Sequence, residues 1–488
     1  MGRRRPPSLR IMTATVELPL WLVIVVLALA GVAALDRIIG PGLRWFLRRR
    51  MERAVEELNK RLDRPIQPFK LMRRQDQVIR LVHDSQVMEA VDAYARDQGV
   101  PHNVAFAKAQ NYAREIVPGF STATYFGFAI RVARQLSRAF YEVRLGSSEA
   151  VKLSEIDPRA AVVFVMNHRS NMDYVLVTWL AAERSALSYA VGEWARVWPL
   201  KALIRATGAY FIRRRYSNAL YRAVLARYVQ MSVQEGTTQA MFPEGGLSLS
   251  GAVGPARLGL LTYIVRDFDL ARGRDVVFVP VALNYDRVLE DRVLVRAGQE
   301  GVRRFKVQIG TALGFLIRRV WQKARGRMQS FGYAAVCYGQ PLSLRAYLTH
   351  APDASTPHLA EELMRRIRAA VPVLPVPLVA AAVLRAGEGP RREAVLAEAE
   401  RMVAALVARG ANLHLPGGTV AQAVAEGLGN LTLRGILAEA GGRLGPAPGQ
   451  EAVLGYYAAS ALQRLAEAEP ECPPETPAQL ELPEPTAT

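Results

Sequence analysis

A histidine and an aspartate, His168 and Asp173, share the run Val165-Met166-Asn167-His168-Arg169-Ser170-Asn171-Met172-Asp173-Tyr174. A tight turn that brings the carboxylate to one imidazole nitrogen leaves the other nitrogen as a proton acceptor. Such a pair is a base with its orienter, and with no serine nucleophile built in, a substrate hydroxyl must take that part. The same spacing also fits an ordinary turn histidine. Two further runs carry groups suited to ligands. Gly208-Ala209-Tyr210-Phe211-Ile212 is strand-like and is followed at once by Arg213, Arg214 and Arg215, whose forked guanidinium groups suit a phosphate; a solvated start of a basic helix would look the same. Phe242-Pro243-Glu244-Gly245-Gly246-Leu247-Ser248 offers two glycines for close backbone approach and a carboxylate, Glu244, to accept a hydroxyl hydrogen bond; an ordinary strand-to-helix turn is the alternative. No metal is expected. His83, His102, His350, His358 and His414 are scattered, no H-E-x-x-H occurs, and Cys337 and Cys472 lie far apart. The phosphate-binding P-loop, the G-x-G-x-x-G turn and the G-x-S-x-G elbow are all absent, which counts against nucleotide hydrolases, dinucleotide-binding dehydrogenases and serine hydrolases.

These groups need a scaffold to hold them. Short apolar, β-branched runs at Ala161–Met166, Thr237–Phe242, Asp275–Leu283, Phe305–Ile309 and Tyr333–Tyr338 alternate with helical stretches such as Ser217–Gln234. This pattern predicts an α/β unit over 151–345, a mostly parallel sheet covered by helices. His168 comes directly after the first run. It therefore stands at the carboxyl end of a strand, where parallel α/β folds bind ligands. Residues 38–150 predict a helical N-terminal domain, from MERAVEELNKRL through VMEAVDAYARDQ to FAIRVARQLSRAFYEV. Residues 346–465 predict a second helical region, Ala-rich, and 466–488 an acidic, Pro-rich disordered tail. No repeat of 20–50 residues is present.

The chain has 488 residues, too many for one ordinary core, and 63 Lys and Arg against 44 Asp and Glu give a net charge of +19. That field favours anionic partners: phosphorylated metabolites, coenzymes, acidic proteins and anionic lipid. The stretch from Arg303 to Arg327 gathers eight of the basic residues and suits any of these, or none if it is simply a solvated surface. Two cysteines fit a reducing compartment. Leu18–Leu35 is an uncharged run of 18 residues, long enough to cross a hydrocarbon core of roughly 30 Å. Arg3, Arg4, Arg5 and Arg10 precede it; Arg37, Arg44, Arg48, Arg49, Arg50 and Arg53 come after it. The run reads as a membrane anchor over 1–37 rather than a cleaved signal, and the arginine excess places the chain beyond it on the cytoplasmic side of an inner membrane. Val371–Leu384, interrupted by Pro372, Pro375 and Pro377, predicts a packed or interfacial segment and not a span.

Four blocks in order resemble those of the glycerolipid acyltransferase superfamily, and within it the membrane-bound bacterial glycerol-3-phosphate 1-O-acyltransferases. N-H-x-S-x-x-D is met by Asn167, His168, Ser170 and Asp173; G-x-x-F-I-x-R by Gly208, Phe211, Ile212 and Arg214; F-x-E-G-G-x-S by Phe242, Glu244, Gly245, Gly246 and Ser248; and a strand with V-P by Val279 and Pro280. The resemblance implies that His168 is the general base, oriented by Asp173. It implies a substrate site drawn from Asn167, Ser170, Arg213, Arg214, Glu244, Gly245, Gly246 and Ser248, with Arg214 and the third block on the acceptor phosphate. The family's third block usually carries arginines where this chain has Leu247 and Leu249. Arg257, where relatives often have lysine, is expected to take up part of that work. The implied reaction takes an acyl group from coenzyme A or acyl carrier protein to sn-glycerol 3-phosphate, with no further cofactor. Dihydroxyacetone phosphate and lysophosphatidic acid are alternative acceptors. A basic, membrane-tethered binding protein would explain the charge but not the four blocks, and no aromatic–basic pattern points to nucleic acid.

Overall fold

The computed structural model describes residues 19–27, 49–50, 53–146, 155–182, 185–192, 200–213, 217–271, 273–301 and 331–467. Outside these lie Arg214, Arg215, the expected strand Phe305–Ile309, the basic stretch Arg303–Arg327, most of Leu18–Leu35 and the acidic tail beyond Glu467. The chain divides into two units, Met1–Arg61 and Leu62–Thr488. In the first, residues 20–27 are helical and most of their apolar side chains are exposed, Leu20 and Leu27 to 77% and 65%. Among the described residues no helix is long and apolar enough to cross a membrane.

The second unit is built on one mixed sheet. Its strands are β1 (Glu142–Leu145), β2 (Ala161–Met166), β3 (Ser188–Val191), β4 (Tyr210–Phe211), β5 (Gln239–Met241), β6 (Val276–Tyr285), β7 (Tyr333–Tyr338) and β8 (Leu342–Ser343), in the order β1-β7-β6-β2-β5-β3-β4 with β8 beside β6. β2 runs parallel to both neighbours, pairing Val163 with Phe278 on β6 and with Gln239 on β5. Only β7 and β8 run antiparallel to β6. Both faces of β2 are buried, which is why its sequence is an unbroken apolar run. Pro280 is tolerated within β6 because the far side of that strand changes partner there: β8 covers Val277 and Phe278, and β7 takes over at Val281.

Helices before and after the sheet share its core. Val82, Val87, Ala105 and Ile116 from the early helices, Val163 and Phe278 from the sheet, and Leu363 and Ile367 from the helix Thr356–Ala370 belong to one buried cluster. Val371–Leu384 is packed, as expected: the helix Pro375–Arg385 starts on a proline, where no N–H is needed, and Leu378 to Ala382 are fully buried. The regions before and after the sheet are helical as expected, with two local exceptions. The helical reading of FAIRVARQLSRAFYEV holds only to Phe140, after a π-helical turn at Ala123–Ala129; Glu142–Leu145 is then drawn into β1 by parallel pairing with β7. The region 346–465 is not wholly helical. Leu437–Ala440 and Arg443–Pro446 form an antiparallel hairpin, β9 and β10, turned by Gly441 and Gly442 at φ of 59° and 72°.

Candidate active site

The loop leaving β2 folds around one carboxylate. Asp173 Oδ2 accepts the N–H of Arg169 at 2.7 Å, the N–H of Ser170 at 3.0 Å and the Nδ1–H of His168 at 2.8 Å. Its Oδ1 accepts the hydroxyl of Tyr285, at the end of β6, at 2.6 Å. Burial, and then the Asp173 charge, push the Tyr285 phenol well above its ordinary range, so it stays a donor. Asp173 is fully buried and His168 is 4% exposed. The imidazole is stacked on Phe242 at 4.1 Å between centroids and meets the edge of Tyr174 at 5.3 Å. With Nδ1 committed to Asp173, Nε2 carries no hydrogen bond among the described residues. The arrangement orients the imidazole as a base, with Asp173 placed to steady the ring once Nε2 takes a proton.

The third block holds the main chain of the same histidine from both sides. Glu244 Oε1 accepts the His168 N–H at 2.8 Å, and the His168 carbonyl accepts the Ser248 N–H at 2.8 Å. Glu244 Oε2 accepts the Gly254 N–H at 3.0 Å. Burial raises the Glu244 carboxyl to about 7, and the two backbone N–H groups pull in the opposite direction. The Ser248 hydroxyl folds its own loop, donating to the Ala252 carbonyl at 2.6 Å and accepting the Gly251 N–H at 3.1 Å. Glu244 and Ser248 are thus placed as supports of His168.

The other residues singled out in the sequence fall into two groups. Asn167 pairs its side-chain amide with both backbone groups of Leu283, at 2.9 and 2.7 Å, adding a step to the β2–β6 ladder. Ser170 is fully buried; its hydroxyl donates to Glu290 at 2.8 Å and accepts the Met172 N–H at the start of the helix Met172–Ala182. Arg213 has its fork on Glu115, at 2.8 and 2.5 Å, and that pairing raises its affinity for its proton. These three side chains have protein partners where the sequence suggested substrate. Arg257 differs: it is exposed, and its stem lies across Gly245, where an added Cβ would sit 2.6 Å from Arg257 Cδ. Its main chain is anchored by the N–H to the Pro243 carbonyl at 2.7 Å. Gly246, next in the loop, is half-buried. Arg214 lies outside the described residues.

Three contributors escaped the sequence reading: Tyr285, Glu290 and Arg169. Glu290 accepts the N–H and the side-chain amide of Asn171, at 3.3 and 3.0 Å, besides the Ser170 hydroxyl. Arg169 is buried to 2% exposure over the ring of Tyr456, 5.1 Å from its centroid, and among the described residues no nitrogen of its guanidinium has a hydrogen-bond partner. The only available signal was local, since Arg169 is the neighbour of His168. Among the described residues no group of His, Cys, Asp or Glu side chains gathers to hold a metal ion.

A sequence model of the family described as acyltransferase matches residues 148–284, and one described as the glycerol-3-phosphate acyltransferase C-terminal region matches residues 319–466. The glycerol-3-phosphate acyltransferase of Pseudomonas putida (strain GB-1) is 30% identical over 335 residues, 64% of this chain and 39% of that protein. The protein of the same name from Pseudomonas aeruginosa (strain UCBPP-PA14) is 27% identical over 411 residues, 79% of this chain and 48% of that protein. The chain thus spans less than half the length of these curated relatives. Among solved structures, the 1-acyl-sn-glycerophosphate acyltransferase of Thermotoga maritima matches at 15% identity and a TM-score of 0.31, covering 50% of this chain and 76% of that one. A likeness that slight decides nothing here.

Proposed function

Because this chain belongs to the acyltransferase superfamily, we propose that it transfers an acyl group from a thioester of coenzyme A or acyl carrier protein to the 1-hydroxyl of sn-glycerol 3-phosphate. The product is 1-acyl-sn-glycerol 3-phosphate, a precursor of phospholipids. The observation that carries this reading is the buried His168–Asp173 pair with Nε2 unengaged at the carboxyl end of β2. Nε2 takes the proton of the acceptor hydroxyl as its oxygen attacks the thioester carbonyl. The carbon–sulfur bond of the tetrahedral intermediate then breaks, and the thiolate leaves with the proton returned from the imidazolium. Asp173 steadies that imidazolium through Nδ1–H. No acyl-enzyme is required, and Cys337 is buried in β7. Arg257 and Arg214 hold the acceptor phosphate, with leucines at 247 and 249 where arginines are usual. No cofactor takes part beyond the thioester co-substrate.

We also place the protein on the inner membrane through Leu18–Leu35, with His168 on the cytoplasmic side and anionic lipid beside the basic surface. The supports are the apolar run and its arginine asymmetry. The functional test is direct: purified protein is given labelled acyl-coenzyme A or acyl carrier protein, with glycerol 3-phosphate, dihydroxyacetone phosphate or lysophosphatidic acid. Label in a lysophosphatidic acid product that depends on glycerol 3-phosphate supports the reading. Transfer to another acceptor alone reassigns the substrate, and no transfer to any of them overturns it.

A further inference from the structure

The helix Glu451–Ala466 reaches the peptide of His168 through an unbroken chain of hydrogen bonds. Gln463, near the end of that helix, grips one residue of the third-block loop by both backbone groups. Its Oε1 accepts the Val253 N–H at 2.8 Å, and its Nε2 donates to the Val253 carbonyl at 3.0 Å. The next N–H, that of Gly254, donates to Glu244 Oε2 at 3.0 Å, and Glu244 Oε1 accepts the N–H of His168 at 2.8 Å. The loop lies against the helix backbone itself. Gly251, at φ of 85°, crosses so closely that a Cβ there would sit 1.9 Å from the Tyr456 carbonyl oxygen. The same helix supplies the Tyr456 ring beneath Arg169 and the Tyr457 hydroxyl, which accepts the Val288 N–H at 3.0 Å and donates to Asp291 at 2.7 Å. Asp291 adjoins Glu290, which holds Ser170 and Asn171.

A side-chain amide matched to one peptide is a two-point clamp that fixes position and rotation together. A carboxylate that bridges two N–H groups passes that placement on with little slack. We infer that Gln463 is a positioning residue for His168: it sets the loop that holds Glu244, and through it the height of the imidazole over Phe242. The consequence for acyl transfer rests on the function proposed above; the mechanical link does not.

The test compares Gln463→Leu, which removes both bonds at similar volume, with Gln463→Glu, which keeps only the acceptor, and with Glu451→Gln at an exposed position in the first turn of the same helix. A displacement of the base on the ångström scale costs up to about 100-fold. Gln463→Leu should therefore lower kcat about 10- to 100-fold with both KM values within about twofold, Gln463→Glu should fall between it and wild type, and Glu451→Gln should match wild type. Hydrogen–deuterium exchange at the amides of His168 and Gly254 should quicken in Gln463→Leu, with the melting temperature and the exchange of β2 unchanged. Unchanged exchange at those two amides overturns the inference. So does an unchanged kcat, or a fall in kcat accompanied by equal shifts in both KM values and in melting temperature. A wild type that transfers no acyl group counts against the functional reading alone, and the exchange measurement still decides the clamp.

Discussion

Charged groups are buried at both ends of the central strands, and their surroundings differ in kind. At the carboxyl ends of β2 and β5, Asp173 and Glu244 receive backbone N–H groups, and Asp173 a ring N–H and a phenol as well. At the amino ends of β3 and β5, Lys70 is just as buried, yet among the described residues its ammonium donates only to the Ala186 carbonyl, at 2.7 Å, beside the rings of Phe120 and Tyr125 at 4.6 and 5.8 Å. Gln77 and Thr237 line a small cavity with it, and each keeps an oxygen without a partner among the described residues. Burial pushes the Lys70 ammonium well below its ordinary range. The difference shows what a buried charge needs. Donors aimed at a carboxylate oppose the cost of burial, as two N–H groups do at Glu244, whereas Lys70 has one carbonyl and two ring faces to set against it.

Substitutions at the two ends should separate them. The largest effect belongs to His168→Ala, which removes the base and should lower kcat about 10²- to 10⁴-fold with the fold intact by circular dichroism. Asp173→Asn should come close to it, because the imidazole loses its orienter. A variant His168→Ala that kept more than half of wild-type turnover would end the case for the dyad. Next, Tyr285→Phe deletes one charge-assisted bond of roughly 1.5–3 kcal/mol. We expect kcat about tenfold lower, with little change in either KM, and equal loss in kcat and thermal stability would mean that Tyr285 only packs. Third, Arg257→Ala should raise the acceptor KM about tenfold, leaving the donor KM in place; steady-state kinetics with each substrate varied in turn would reassign Arg257 to the donor if the pattern reversed.

The smallest effect concerns the other end and should not touch turnover. Because the folded-state affinity of Lys70 for its proton is depressed, the unfolded chain binds more protons between that lowered value and the ordinary lysine value. Wild-type stability therefore gains as pH rises through that window. Lys70→Met lacks this term, so the melting temperature of the variant minus that of wild type should fall as pH rises towards the ordinary lysine value. A difference that stayed flat, or grew, would show that Lys70 is not carried as a disfavoured cation.

Local chemistry was legible in the sequence. Ala161–Met166 and Tyr333–Tyr338 are strands at the bounds their apolar runs suggested, because a short apolar run rich in β-branched or aromatic residues needs no long-range information to be recognised. The turn that joins His168 to Asp173 is likewise a short-range event, closed by the N–H groups of Arg169 and Ser170. The fate of a side chain with two possible partners was not legible. Asn167 pairs with Leu283 and Tyr285 reaches Asp173 only because β6 lies beside β2. Arg213 is matched to Glu115, from a helix far earlier in the chain, and Gln463 meets Val253 across the fold. Residue type and spacing determined which atoms could do the chemistry. Topology decided which were left free to do it, since a hydrogen-bonding group is satisfied by whatever the packed chain sets within about 3 Å of it.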